Sequence, residues 1–170
     1  MPHAIFELDQ YRELPLWAQV LMSARLVRRA LKELLPEEAE IARTMENACD
    51  AAIQCASHGS MSGGLDKALR SGISFTPTTR TAALWSAMYF LIDATAAAQA
   101  SESFSAADAA CSSSVGHCFA HIGDSPEMSP LRVRILLAAD LDQLRFACKD
   151  SRVGTYDPIP QDVLLRLTPV

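Results

Sequence analysis

Apolar residues recur along most of this chain at three- and four-residue steps, the spacing of an α-helix. No stretch alternates apolar and polar residues for long enough to make a strand. Trp17, Val20, Leu21, Ala24, Val27, Leu31 and Leu34 fall on one face and predict a helix from about Leu14 to Leu35, with Pro15 in the first turn. Pro36 ends that helix and opens a second, whose stripe is Ile41, Met45, Ala48, Cys49, Ala52 and Ile53. So short a joint predicts an antiparallel hairpin over residues 14–57. The segment HGSMSGG, residues 58–64, reads as a flexible break, followed by a short helix over Leu65–Ser71.

Beyond it, Thr76-Pro77 reads as the cap and first turn of a helix over residues 77–99. Its segment AALWSAMYFLIDATAAA is apolar on nearly every side, which predicts the central, most buried helix. Ser105 with Asp108 resembles a capping box and opens a helix over 105–122. Ser129-Pro130 opens another over 130–149, carried by Val133, Leu137, Leu141, Leu144 and Cys148. Small residues crowd the stretch from Asp93 to Gly116, as at close helix crossings. Phe104, Cys111, Val115, Cys118 and Ile122 keep helical spacing there. In the proline-rich tail, residues 150–170, Ile159, Val163, Leu164 and Leu167 recur at near-helical spacing, with one turn expected over Asp162–Leu167. The expected fold is all-α: a single-domain bundle of about six helices with a docked C-terminal tail.

Composition sharpens this picture. At 170 residues and 49% hydrophobic, the chain can bury one sizeable core, and only 6% aromatic content favours close-packed helices over sheet. A formal net charge of −5 argues against a general nucleic-acid binder. The five cysteines, Cys49, Cys55, Cys111, Cys118 and Cys148, form no CxxC pair and read as reduced core residues. MPHAIFELDQ lacks the basic start and apolar run of a signal peptide, and the longest apolar run, Ala82–Ile92, is too short to span a bilayer. A cytoplasmic protein is expected, with neither membrane nor nucleic acid as partner.

Candidate chemistry is sparse. His117 and His121 stand one helical turn apart, a spacing at which two imidazoles can reach one metal ion. A zinc site needs three or four ligands, however. Cys118 points elsewhere, Asp124 lies past the helix end, and neither HExxH nor the ExxH of di-iron bundles is present. The pair is therefore expected on a partly exposed flank as bystanders, with no metal and no cofactor. HGSMSGG with Lys67 lacks the strand and the GxxxxGK[ST] spacing of a phosphate loop. Ser112, Ser113 and Ser114 lie inside a helix without a GxSxG turn. Asp93, following the apolar run, is expected to be buried and paired with Arg80, Arg132 or Arg134. No catalytic residue is expected, and the chain reads as a non-enzyme.

Two charge stripes remain. Arg25, Arg28, Arg29 and Lys32 edge the first helix, while residues 33–50 hold Glu33, Glu37, Glu38, Glu40, Glu46 and Asp50 against Arg43 alone. The stripes can pair across the hairpin. Alternatively, the excess of acid is a docking surface for a cationic partner, with Glu37, Glu38, Glu40 and Glu46 as its residues.

Two stretches carry a likeness. LPLWAQVLMSARLVRRALKELLP resembles the opening helix of alanine-rich, all-helical bacterial proteins assigned as immunity proteins of polymorphic toxin systems. ADLDQLRFACKDSRVGTYDPIPQDVLLRLTP resembles the end of related bacterial proteins, where an acidic helix leads into a D-x-P-x-P turn. The likeness covers about the first and last quarters, and the middle has Ser and Cys where those proteins are richer in alanine. It implies stoichiometric binding of a cognate toxin in the cytoplasm, occluding its active site, and brings no catalytic residues; the acid-rich segment adds the expectation of a basic surface on the toxin. The alternatives are a metal-dependent or metal-binding helical protein using His117 and His121, or a helical scaffold or regulator.

Overall fold

The first long helix is the hub of the molecule. In the computed structural model, which describes residues 8–100, 104–123 and 130–170, helix α2 (Leu16–Leu31) buries every residue except Arg28 and Arg29. It packs against α3 (Ala39–His58), α5 (Ala82–Ala100), α6 (Phe104–Gly123) and α7 (Pro130–Asp150). Three short helices, α1 (Leu8–Arg12), α4 (Leu65–Arg70) and α8 (Gln161–Leu165), complete the bundle, and no strand occurs among the described residues. The all-α class and the docked tail are as expected; α1 alone has no counterpart in the periodicity, being too short to show one.

α2 tolerates burial on all sides because its polar groups find partners. Tyr11 of α1, itself fully buried, donates to the Gln19 carbonyl at 2.9 Å and shares a 2.6 Å hydrogen bond with Ser23. The Gln19 amide donates to the Leu14 carbonyl at 3.2 Å. Arg25 and Arg29 reach Asp140 of α7. This corrects the expectation that the more apolar α5 is the central helix. α5 packs chiefly on α6, buries fewer than half of its residues where α2 buries nearly all of its own, and leaves Tyr89 41% exposed. Apolar composition does not by itself make a helix the most buried one; how completely its faces are covered does.

Small residues bring α5 and α6 together. Ala87, Ala94 and Ala98 of α5 and Ala107 and Ser114 of α6 are all buried, and Ser114 donates across the crossing to the Ala87 carbonyl at 2.8 Å. α5 begins at Ala82, not at residue 77. Thr78 N–H donates to Thr81 Oγ1 at 2.9 Å, and the Thr81 carbonyl accepts the first helical bond, from Trp85, at 2.8 Å. The helix therefore starts at a threonine turn that competes with helix in Pro77's favoured position. α6 begins at Phe104; Asp108 turns to Arg12 of α1 at 3.4 Å instead of capping its own helix. The Ser129 cap and Asp124 lie outside the described residues, as does the side chain of Val133.

The break after α3 is an anchored turn. Gly59 adopts φ +68°, the left-handed C-cap that a side chain would strain, and a Cβ there would also meet Pro158 at 3.2 Å. Met61 is buried, and its N–H donates to the Gln99 side chain. The tail closes the same end: Ile159 N–H donates to Ala56 O at 2.8 Å, and Ile159 and Val163 are fully buried. Fully burying such aliphatics contributes about 1.5–3 kcal/mol each. Leu164 and Leu167 pack at its edge.

Candidate protein interface

The α2–α3 hairpin carries the acid-rich segment, and its turn shows how those acids are used. α2 stops after Leu31, the chain extends through Leu35, and Pro36–Glu38 makes one tight 3-10 turn before α3. Glu38 folds back to accept from Leu35 N–H at 2.8 Å, while Arg80 grips the same carboxylate through two 3.2 Å bonds. The Arg80 guanidinium holds the Glu38 carboxyl below its ordinary range. Glu38 is thus part of the turn's own structure, a half capping box.

Its neighbours differ. Glu37 and Glu40 are exposed and make no ion pair among the described residues. Glu46, also exposed, stands 3.9 Å from Arg28, whose closer partner is Asp50 at 2.9 Å. Between the acids, Leu35 leaves 40% of its surface in water. The hairpin tip is therefore an apolar knob flanked by exposed carboxylates. Glu40, in the first turn of α3, also complements its helix dipole, worth about 0.3–1 kcal/mol, a structural use that needs no partner.

The basic stripe does not mirror this face. Arg28 pairs across the hairpin, with Asp50 and Glu46. Arg25 Nη2 lies 3.2 Å from one Asp140 oxygen, and Arg29 Nη2 lies 2.7 Å from the other, with Asp140 only 3% exposed. Arg25 also donates to the Thr168 carbonyl at 2.6 Å, which ties the tail to the bundle. Burial pulls the Arg25 guanidinium below its ordinary value, and Asp140 opposes that pull. Asp140 was legible in principle: it sits three residues after Leu137 and four before Leu144, an acid inside an apolar stripe. Arg80 and Leu35 carried no comparable signal.

The histidines separate. His117 is half-buried and stacks on Phe90, with ring centroids 5.4 Å apart at 7°. His121 is 6% exposed, not on a flank. Its ring bonds the Arg80 backbone, its Nε2 has no hydrogen-bond partner, and burial lowers its pKa. The expectation of two solvated bystanders fails for His121, because the segment before α5 folds over the end of α6. No group of three His, Cys, Asp or Glu side chains among the described residues could hold a metal ion.

Asp93 is exposed, the reverse of the expectation, and none of its three nominated arginines pairs with it. Arg80 holds Glu38, Arg134 lies over the Phe119 ring at 5.4 Å, and Arg132 is exposed. Helical rotation simply turns Asp93 outward one residue after buried Ile92. Ser112 accepts from Arg12 at 3.4 Å and Ser114 serves the helix crossing, so neither faces a base. All five cysteines are buried and unpaired; burial pushes the Cys55 and Cys148 thiols up to about 11 and Cys111 to about 12, away from thiolate chemistry. Lys67 is exposed on α4.

No helix among the described residues is long and apolar enough to cross a membrane. Set against protein-family models, curated proteins and solved structures, the chain matches none.

Proposed function

We propose that this protein works by stoichiometric binding to another protein, as an immunity protein that covers the active site of a cognate toxin. The observation that carries the reading is the hairpin tip. Leu35 projects there beside Glu37 and Glu40, whose exposed carboxylates make no ion pair among the described residues, and Glu46 extends the acidic face one to two turns along α3. An apolar anchor with an acidic rim suits a partner whose active-site surround is basic, such as an enzyme acting on phosphate-bearing substrates. The acids would speed encounter and the leucine would slow departure. The likeness of the first and last quarters to immunity proteins adds to this reading, which needs no catalytic residue. Glu38 leaves the docking set, since it is occupied within the turn.

The test starts from the product of the adjacent reading frame, because immunity proteins lie beside their toxins. Co-expression should relieve its toxicity, and the purified pair should associate one to one. Glu37→Lys with Glu40→Lys should slow association about tenfold or more at low salt and flatten its salt dependence. Leu35→Ser should mainly speed dissociation. Parental binding and protection by both variants would move the interface elsewhere; no protection by the parent would remove the toxin reading.

A further inference from the structure

Away from the hairpin, the joint between α1 and α2 faces the C-terminal half of α7 across a cleft of about 810 Å³. That lies within the usual range of small-molecule sites, about 300–1,000 Å³. Its floor is apolar, formed by buried Leu14 and Cys148 with half-buried Val153 and Phe104. One wall is fixed by main chain, Leu16 N–H donating to Thr155 O at 2.8 Å, so the cleft is already formed.

Its charge runs against the molecule. Arg12, Arg145, Lys149 and Arg152 line it against Glu13 and Asp142, four cations less two acids, a local +2 on a chain of net −5. Arg12 is paired with Asp108 and Arg145 with Glu13, at 3.4 and 3.0 Å. Lys149 and Arg152 make no ion pair among the described residues. Arg152 also takes φ +52°, the left-handed position after a helix where glycine is at ease, and is the only described non-glycine residue to do so. Beside them Phe146 leaves 68% of its surface in water at the rim. The dipole of α7 accounts for cations near its end. It accounts neither for an arginine where glycine fits better nor for a bare phenyl ring next to it.

We propose that this cleft binds a small amphipathic anion, a carboxylate or phosphate monoester on an aliphatic or aromatic body. The head group would sit between Lys149 and Arg152, and the body against Phe146 and the Leu14 floor. A phosphate suits the guanidinium fork as well as a carboxylate does.

Calorimetric titration of the full chain with four eight-carbon probes tests it: octanoate, octyl phosphate, octanol and octyltrimethylammonium. At least one anion should bind one to one and more weakly as salt rises, with octanol and the cation about tenfold weaker or more. Whichever anion binds tighter names the head group. Lys149→Ala with Arg152→Gly should weaken that anion about tenfold or more. Its melting temperature should not fall, because both side chains are exposed and glycine relieves the positive φ. Phe146→Ser should weaken the anion independently of salt. Equal binding of octanol, parental affinity in the double variant, or no binding of either anion at millimolar concentration would each overturn the proposal. So would capture of an acidic peptide at this cleft when neither anion binds.

Discussion

Asp140→Ala is the sharpest probe of how the bundle is held together. The carboxylate is 3% exposed and serves two guanidiniums, Arg29 at 2.7 Å and Arg25 at 3.2 Å. Arg25 is itself 7% exposed, and its Nε already lacks a hydrogen-bond partner. Removing the acid leaves buried Arg25 facing partly buried Arg29 with no counter-charge between them, and stripping one partner from a buried pair costs about 3–5 kcal/mol. For a chain of this length each kcal/mol moves the melting temperature by about 2–4 °C. Asp140→Ala should therefore melt about 6–20 °C below the parent by calorimetry or circular dichroism. The loss measures orphaned charge more than the worth of the pair. A double-mutant cycle with Arg25→Met isolates that: the second change should recover part of the loss, since it removes one of the stranded charges. If Asp140→Ala unfolds within about 1 kcal/mol of the parent, as surface substitutions do, the cluster is hydrated and the reasoning fails.

That cluster also shows where sequence stops speaking. Burial leaves its trace in spacing, so Trp17, Val20, Leu21 and Ala24, or Leu137, Leu141 and Leu144, announce their helices from the chain alone. Ile159 and Val163 announce a docked tail in the same way. Partnership leaves no such trace. Gln19, Ser23 and Arg25 look like the polar side of α2, and only Tyr11 and Asp140, brought from distant elements, let that side be buried. Reading α5 as central was the same error from the other direction. Asp93 is turned outward by helical rotation next to buried Ile92, whereas His121 is closed in by the segment that covers the end of α6. On the acidic face, composition marked Glu37, Glu38, Glu40 and Glu46 alike, yet Arg80, forty-two residues further on, takes Glu38 out of the set.

Three further outcomes follow from the packing and its charges. Truncation after Tyr156 removes fully buried Ile159 and Val163, about 1.5–3 kcal/mol each, together with the Thr168 carbonyl that caps Arg25, so the melting temperature should fall by several degrees. An unchanged melt would mean the tail does not dock in solution. Gly72→Ala should destabilise by about 1–3 kcal/mol, because the added Cβ would stand 2.7 Å from the Ala48 Cβ and 3.0 Å from Met88 Cγ, and Ala48 has no rotamer to give. A neutral result in urea unfolding would show that α3 and α5 part easily there. The last outcome is a pH dependence from His121. Burial holds its folded pKa below the ordinary 6.5, so between those two values the unfolded chain binds the proton that the folded chain refuses. Stability is then full above about pH 6.5 and declines as pH falls toward the lower folded value. Glu38, whose folded pKa is also lowered, loses its contribution only further down, below the ordinary carboxylate pKa of 4.5, so the two windows do not coincide. Urea midpoints of the parent should slope upward with pH from 5 to 7, and His121→Leu should flatten that slope. A slope that survives in His121→Leu would assign the titration to another group and sink the account of a neutral imidazole closed in at the end of α6.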